Sequence, residues 1–478
     1  LTTDPIGTDK DGNDVYMKDI WPTQKEIAEL VEQTVTREAF QSKYADVFKG
    51  DEKQKRKDVE ALFAFSFTFG MGSSLSDKSK DYFDTTVKDC FKAAQYPSAY
   101  TVFDYYYDMK AKEHQFKPWT DKVKDFDFQR DKPFFDLMVE TEMTYKHAYC
   151  LEILLDGGKP LFFTGESGVG KSVIIQNTLN RLQQKTLNPI FLNFSAQTDS
   201  KRTQLSIEEK LENISRKVLG AKAGKTNAVF VDDINMPTVE EYGAQPPIEF
   251  LRLLVDRNGL YERKEWDWRQ VKDTTLIAAA APPVGGRSPL CTRFSTNFNM
   301  FCLPEASQGM LQTIFNSILG GFFKSWNFAE PVQQLKDAII TATIEVYTKI
   351  QKELRATPSK FHYSFNLRDV SKVVQGILMT KNISVSTPET CTKLWVNEVS
   401  RVFMDRLINE DDCNWFIDEI MDLVGRNFKS SIEKNELFGE TNPFTQEWKE
   451  GIVSKLVKDA VVALEGSESH WKRWITFD

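Results

Sequence analysis

A glycine-rich loop that ends in lysine and serine is the part of this sequence best suited to chemistry. Residues 165–172 match every fixed position of the phosphate-binding pattern G-x-x-x-x-G-K-[ST]. In that pattern, backbone N–H groups surround phosphate oxygens, Lys171 reaches the β- and γ-phosphates, and Ser172 holds Mg²⁺. The predicted nucleotide-binding residues are Gly165, Glu166, Ser167, Gly168, Val169, Gly170, Lys171 and Ser172.

The segments on either side of this loop are those needed to position it. Residues 159–164 form a short apolar run that predicts a buried strand, and residues 172–180 have helical spacing of apolar side chains. A strand, a glycine turn and a helix N-terminus aim N–H groups and the positive end of a helix dipole at one point. The alternative, a chance glycine loop, is disfavoured by these flanking elements.

A second acidic motif follows about sixty residues later. The apolar residues 228–231 precede Asp232 and Asp233, which places two carboxylates at the carboxyl end of a predicted strand. We expect Asp232 to bind Mg²⁺, directly or through water, and Asp233 to polarise an attacking water. The alternative is a charged turn after a core strand.

Near-continuous apolar runs predict an α/β fold with a parallel sheet covered by helices on both faces. The candidate strands are Lys159–Thr164, Ile190–Phe194, Ala228–Asp232, Thr274–Ala279 and Phe298–Cys302. Residues 55–130 and 305–432 have mainly helical patterns, including the aromatic stretch around Tyr105. Further helices are predicted over 134–155, 332–354 and 394–406.

Composition excludes several classes of function. The 478 residues carry a net charge of −8, which argues against nucleic-acid binding. No apolar run reaches the ~18 residues of a membrane span, so we expect no membrane segment. Six scattered cysteines indicate reduced thiols inside a cell, and His147 with Cys150 supplies too few ligands for a zinc site.

Several long motifs resemble the third AAA+ module of dynein heavy chains, over about residues 56–432. Besides the loop at 165–172, they are residues 193–198, 231–237, 242–249 and 282–287. The Asp-Asp-Ile-Asn-Met-Pro sequence at 232–237 is similar to the axonemal branch. The resemblance implies an AAA+ P-loop NTPase with an α-helical lid at 305–432 that transmits ring movements, a helical lead-in at 55–130 and a large subdomain at 131–304.

The resemblance also implies roles for individual residues. Asp232 and Asp233 match the Walker B pair, and Arg293 matches an arginine finger that acts in trans on a neighbouring module. Arg368 matches the second sensor of the lid. The alternative for either arginine is a surface salt bridge.

Two departures from the family pattern bear on catalysis. The usual catalytic glutamate is replaced by the shorter Asp233, and the region of the first sensor reads Ala-Ala-Ala-Ala at 278–281. A misplacement of about 1 Å can cost about a hundredfold in rate. We therefore expect firm binding of ATP or ADP with slow or absent hydrolysis.

The two ends of the chain resemble other proteins. Residues 1–54 resemble a segment of the aconitase family but contain no cysteine for an iron–sulfur cluster, and residues 433–478 resemble part of the second dynein AAA+ module. This order suggests a composite chain or a fragment. An aconitase-like activity for the whole chain is rejected.

The expected function is that of an ATP-binding module of a ciliary dynein heavy chain, a minus-end-directed microtubule motor. The implied partners are neighbouring AAA+ modules, microtubules through the rest of the heavy chain, and dynein intermediate and light chains. The implied location is the axoneme of a cilium or flagellum, on the cytoplasmic side. The alternative is a structural module that binds nucleotide without hydrolysing it.

Overall fold

The computed structural model describes most of the chain between residues 52 and 428. The described ranges are 52–75, 77–108, 114–124, 126–134, 137–183, 187–222, 224–283 and 286–428, with two-residue strands at 7–8, 14–15, 440–441 and 448–449. They divide into two units, the described parts of 1–123 with 141–305 and those of 124–140 with 306–478. Within these ranges, no helix combines the length and the apolar character needed to cross a membrane. The predicted segments 1–54 and 433–478 lie almost wholly outside the described residues.

The first unit contains most of the strands. They are β1 (Gly7–Thr8), β2 (Asp14–Val15), β3 (Tyr105–Asp108), β4 (Gln115–Pro118), β5 (Leu161–Thr164), β6 (Leu187–Asn193), β7 (Glu212–Ser215), β8 (Val218–Gly220), β9 (Thr226–Asp232), β10 (Gly259–Tyr261), β11 (Trp268–Val271), β12 (Thr274–Ala280) and β13 (Asn299–Cys302). Its helices are α1 (Glu52–Gly72), α2 (Asp77–Cys90), α3 (Glu142–Asp156), α4 (Lys171–Gln183), α5 (Ser200–Glu208), α6 (Pro246–Arg257) and the short α7 (Thr292–Ser295).

A five-stranded parallel sheet organises this unit, in the order β13-β5-β12-β9-β6. The predicted α/β class and all five predicted strands are confirmed, with ends shifted by one to three residues. Strand β12 separates the P-loop strand β5 from the acidic strand β9. A second sheet of mixed direction, in the order β10-β11-β8-β7, was not predicted.

Both faces of the parallel sheet are buried, as the continuous apolar runs require. Phe163, Phe230 and Ile277 pack on one face with apolar residues of α3 and α4. Phe162 and Val229 pack on the other face with residues of α5 and α6. Burying one such side chain contributes about 1.5–3 kcal/mol, so both helical layers hold the strand ends in place.

The aromatic stretch predicted to be helical is a β-hairpin, so that prediction is wrong. Strands β3 and β4 pair antiparallel, with Tyr106 opposite Lys117. Tyr105 and Tyr107 pack in one apolar cluster and Tyr106 in another. Because aromatic side chains cover both faces of β3, the two-residue alternation typical of a strand is absent from the sequence.

Three predicted helices have different bounds in the structure. Helix α3 begins at Glu142 rather than near residue 134, because the Thr141 side chain caps it by accepting from the Thr144 N–H. The stretch 332–354 consists of α9 (Glu330–Gln334) and α10 (Lys336–Glu353). The stretch 394–406 is the end of α12 (Pro388–Phe403) and a 3₁₀ turn at Met404–Arg406.

The second unit is helical, as predicted for residues 305–432. It contains α8 (Gln308–Ser325), α9, α10, α11 (Leu367–Leu378), α12 and α13 (Glu410–Leu423), followed by a π-helical turn at Val424–Phe428. The short strands β14 (Glu440–Thr441) and β15 (Trp448–Lys449) follow. Trp395 is fully buried at its centre and donates its indole N–H to the Thr343 hydroxyl at 2.8 Å.

Candidate nucleotide-binding site

The predicted phosphate loop connects β5 to α4 and depends on three glycines with positive φ. These angles are +149° at Gly165, +92° at Gly168 and +90° at Gly170, a region that other residues rarely adopt. A Cβ at Gly165 would also lie 2.5 Å from the carbonyl oxygen of Leu303, the residue after β13. Both the backbone conformation and the neighbouring chain therefore require glycine at 165.

Lys171 is the first residue of α4 and is buried, with 8% of its surface exposed. Its ammonium donates to the carbonyls of Gly165 at 2.8 Å and Glu166 at 2.7 Å. Burial lowers the pKa of Lys171, while the charges of Asp233 and Asp232 act to raise it. Both carboxylates therefore lie within electrostatic reach of this ammonium.

Ser172 and Asp232 are suited to Mg²⁺. Ser172 lies in the first turn of α4, and Asp232 is the last residue of β9. A hydroxyl and a carboxylate are the hard oxygen donors that Mg²⁺ prefers, and this ion takes most of its other ligands from phosphates and water. No cluster of three or more His, Cys, Asp or Glu side chains able to hold a metal exists among the described residues. The residues present therefore fit Mg²⁺ bound together with a nucleotide.

Asp233 begins the turn after β9 in a left-handed conformation, with φ of +49°. Aspartate tolerates this region better than most residues. The next residue, Ile234, donates its N–H to the Ala279 carbonyl of β12 at 3.0 Å, so the turn after β9 stays bonded to the neighbouring strand.

The end of β12 carries no polar side chain, in agreement with the sequence. Ala278, Ala279, Ala280 and Ala281 are all buried. Their methyl groups offer a phosphate no hydrogen bond. A conventional first sensor is therefore absent from this strand.

Two polar residues outside the predicted site lie beside it. Asn235 is buried and donates from Nδ2 to the Ala281 carbonyl at 2.8 Å. The Arg287 guanidinium lies 3.8 Å from Asp233, measured from Nη2 to Oδ1. Asn235 belongs to the motif at 231–237 and Arg287 to the motif at 282–287. The spacing between these motifs along the chain does not indicate that they meet in the fold.

The two predicted catalytic arginines belong to different units. Arg293 is exposed on the short helix α7, next to the fully buried Phe294. Arg368 is exposed in the first turn of α11 in the second unit, where its backbone N–H donates to the Asn366 side chain at 2.9 Å. Among the described residues neither guanidinium forms an ion pair, so the salt-bridge alternative has no support there.

His147 and Cys150 are both buried in α3 and do not form a metal site with other described residues. The His147 ring bonds to the Met143 carbonyl at 2.7 Å. Burial raises the pKa of the Cys150 thiol to about 12, which disfavours the thiolate that binds metals. All six cysteines are free.

Comparisons with known proteins agree with this geometry. A family described as "P-loop containing dynein motor region" matches residues 126–306. Families described as "Dynein heavy chain, ATPase lid domain" and "Dynein heavy chain AAA lid domain" match residues 318–413 and 25–121. The last match overlaps part of the segment expected to resemble aconitase, and no comparison confirms that resemblance.

Curated relatives are axonemal or flagellar dynein heavy chains. Human dynein axonemal heavy chain 6 is 40% identical over 375 residues, which are 78% of this chain and 9% of the relative. Rat dynein axonemal heavy chain 12 is 34% identical, over 78% of this chain and 13% of the relative. The Chlamydomonas reinhardtii dynein-1-alpha heavy chain of the flagellar inner arm I1 complex is also 34% identical, over 80% of this chain and 9% of the relative.

The chain thus spans about a tenth of the length of these relatives. The family matches cover the parallel sheet with its P-loop and most of the helical second unit. The chain therefore belongs to the dynein heavy-chain family, as a P-loop-containing AAA+ motor region with its lid.

Proposed function

We propose that this chain is the third AAA+ module of an axonemal dynein heavy chain and binds ATP or ADP with Mg²⁺. The observation that carries the proposal is the convergence of Lys171, Asp232 and Asp233 next to three glycines with positive φ. A triphosphate tail and its metal ion need this combination of backbone amides, one ammonium and acids. Ser172 and Asp232 would hold the Mg²⁺, which neutralises phosphate charge.

Slow hydrolysis is part of this proposal. Asp233 is one methylene shorter than glutamate, and the end of β12 carries only alanine side chains. A water held by Asp233 would lie farther from the γ-phosphate than a water held by glutamate, and displacement by about 1 Å costs about a hundredfold in rate. We therefore assign the nucleotide a regulatory role rather than the main motor role.

The partners follow from the relatives and from one exposed arginine. In an axonemal dynein, the module would contact neighbouring AAA+ modules in a ring. Arg293 is exposed without an ion pair among the described residues, so it is available to act on a neighbour's nucleotide. The rest of the heavy chain would bind microtubules. Dynein intermediate and light chains would complete the proposed assembly in a cilium or flagellum. Arg368 would act as the second sensor.

Single-turnover hydrolysis of bound ATP tests whether this site catalyses. We compare the wild type with Lys171→Ala, which removes the phosphate-binding ammonium, and Asp233→Asn, which removes the acid. Slow hydrolysis in the wild type, with clearly slower rates in both variants, would support a regulatory ATPase site. Equal rates in all three proteins would contradict hydrolysis here.

The second candidate is a structural module that holds nucleotide without hydrolysing it. It is favoured by the contact of Asp233 with Arg287, because a carboxylate oxygen that faces a cation is not free to hold the attacking water. Equal rates in the single-turnover experiment, together with tight nucleotide binding by the wild type, would establish this alternative.

A further inference from the structure

We propose that Arg287 senses the γ-phosphate in cis, by exchanging the Asp233 carboxylate for the γ-phosphate when ATP is bound. The inference rests on the proposed nucleotide-binding function and adds a residue and a mechanism to it. Arg287 would thereby replace the first sensor that the alanines at the end of β12 cannot provide.

The Arg287 guanidinium is held close to the site but is incompletely satisfied. Its Nη2 lies 3.8 Å from Asp233 Oδ1, longer than a good charge-assisted hydrogen bond. Its Nε is buried and has no hydrogen-bond partner among the described residues. Because arginine has five N–H donors in a planar fork that matches phosphate oxygens, the remaining donors suit a phosphate.

The position of Arg287 relative to Lys171 indicates which phosphate it would meet. Arg287 contacts Asp233 directly after β9, and Lys171 begins the helix after β5, so both cations lie at the carboxyl edge of the same parallel sheet. Lys171 contacts the β- and γ-phosphates in loops of this type. Arg287 is a second cation, and it contacts Asp233, the acid expected to polarise the attacking water. We therefore place Arg287 on the side of the γ-phosphate.

Asn235 fixes the chain on both sides of Arg287. The Asn235 side chain donates to the Ala281 carbonyl at 2.8 Å, and the Asn235 carbonyl accepts from the Ser288 N–H at 3.0 Å. Asn235 itself lies two residues after Asp233. The turn that carries the acid and the segment that carries the arginine are therefore joined through one buried residue, which keeps the two side chains within reach of each other.

The exchange links nucleotide state to the acid. With ADP there is no γ-phosphate, and Arg287 pairs with Asp233. With ATP the dianionic γ-phosphate is the stronger partner, so Arg287 leaves Asp233 and the carboxylate is released to hold water. Asp233 therefore competes with ATP for Arg287, and removing its charge should strengthen binding of ATP but not of ADP.

Calorimetry of the 478-residue protein with Mg²⁺–ADP and with a non-hydrolysable Mg²⁺–ATP analogue tests this. In Arg287→Ala we expect affinity for the analogue to fall by about 10- to 100-fold, because a charge-assisted contact is lost. Affinity for ADP should change by less than about twofold. Asp233→Asn should bind the analogue about threefold or more tightly than wild type, and this gain should vanish in Arg287→Ala/Asp233→Asn.

Arg252→Ala is the matched control, since Arg252 has a similar exposure and pairs with Glu249 and Asp256 on α6. It should leave both affinities unchanged. Arg287→Lys retains the charge and should recover part of the ATP preference, which guards against a folding defect in the alanine variant. The inference would be overturned if Arg287→Ala lost the same affinity for both nucleotides or lost none for either. It would also be overturned if Asp233→Asn gained no affinity for the analogue. A wild type that binds neither nucleotide would instead refute the proposed function, and the inference with it.

Discussion

The side-chain amide of Asn235 donates to the Ala281 carbonyl across the carboxyl ends of β9 and β12, at 2.8 Å. Asn235 is 2% exposed, so water cannot replace this bond if it is lost. The same residue accepts from the Ser288 N–H through its own carbonyl. Asn235 thus joins the acidic turn to the segment before and after Arg287.

Replacing this amide should destabilise the protein. In Asn235→Ala the buried Ala281 carbonyl loses its partner, and we expect a loss of about 1–3 kcal/mol in the free energy of unfolding. Chemical denaturation measures the change. The control is Asn299→Ala, because the Asn299 amide donates to the Pro160 carbonyl at an exposed position. This substitution should lower the free energy of unfolding by less than about 0.5 kcal/mol. Equal losses in the two variants would contradict the role given to Asn235.

Gly165→Ala should be among the most damaging single changes in the loop. The new methyl group would meet the Leu303 carbonyl oxygen at 2.5 Å, and φ of +149° strains any other residue. We expect a loss of about 3 kcal/mol or more in stability, measured by thermal and chemical denaturation. Gly158→Ala is the control, because its φ is +62° with open space around it, and strain alone should cost about 1–2 kcal/mol. A smaller loss at Gly165 than at Gly158 would refute the close contact.

His147 should make the protein sensitive to acid. Burial, more than the nearby charge of Lys146, lowers the pKa of His147 to about 3, from 6.5 for an unperturbed ring. Between these values the unfolded chain binds a proton that the folded chain does not, so stability falls as the pH is lowered from 6.5 towards 3. The contribution is at most about 1.4 kcal/mol per pH unit.

The variant His147→Phe removes the titrating group among the aromatic rings of Phe163 and Phe301. Its free energy of unfolding should depend less steeply on pH than that of the wild type between pH 6.5 and 4.5, by urea denaturation at each pH. Other groups titrate equally in both proteins, so the difference in slope isolates His147. Identical slopes would show that His147 takes up a proton in the folded state.

The helical unit should depend on the bond between Trp395 and Thr343. In Thr343→Val the fully buried indole N–H loses its acceptor at 2.8 Å, and we expect a cost of about 1–3 kcal/mol. Thr348→Val on the same helix is the control, because its hydroxyl only bonds the Ile344 carbonyl one turn earlier. A loss confined to the control variant would exclude the proposed role of Thr343.

The glycine-loop geometry at 165–172 could be predicted because its determinants are local. The P-loop pattern specifies a turn through its glycines, and the apolar runs before Gly165 and before Asp232 specify strands buried on both faces. The carboxyl ends of parallel strands meet at one edge of the sheet, so these two motifs had to lie near each other.

The parts that the sequence did not reveal depend on contacts between distant segments. The contact between Arg287 and Asp233 depends on the turn after β9, which no spacing rule encodes. The tyrosines of β3 hide the alternation of a strand because both faces pack against apolar clusters. Residues 124–140 precede the P-loop sheet in sequence but belong to the second unit, and nothing in their composition indicates this.

Calorimetric titration of the purified chain with Mg²⁺–ATP and Mg²⁺–ADP, repeated after any bound nucleotide has been stripped, tests the central claim most directly. We expect saturable binding of one nucleotide per chain, which Lys171→Ala abolishes or weakens by at least about tenfold. No uptake of either nucleotide by the stripped wild-type protein, or equal uptake by Lys171→Ala, would contradict the assignment of this loop as a nucleotide site.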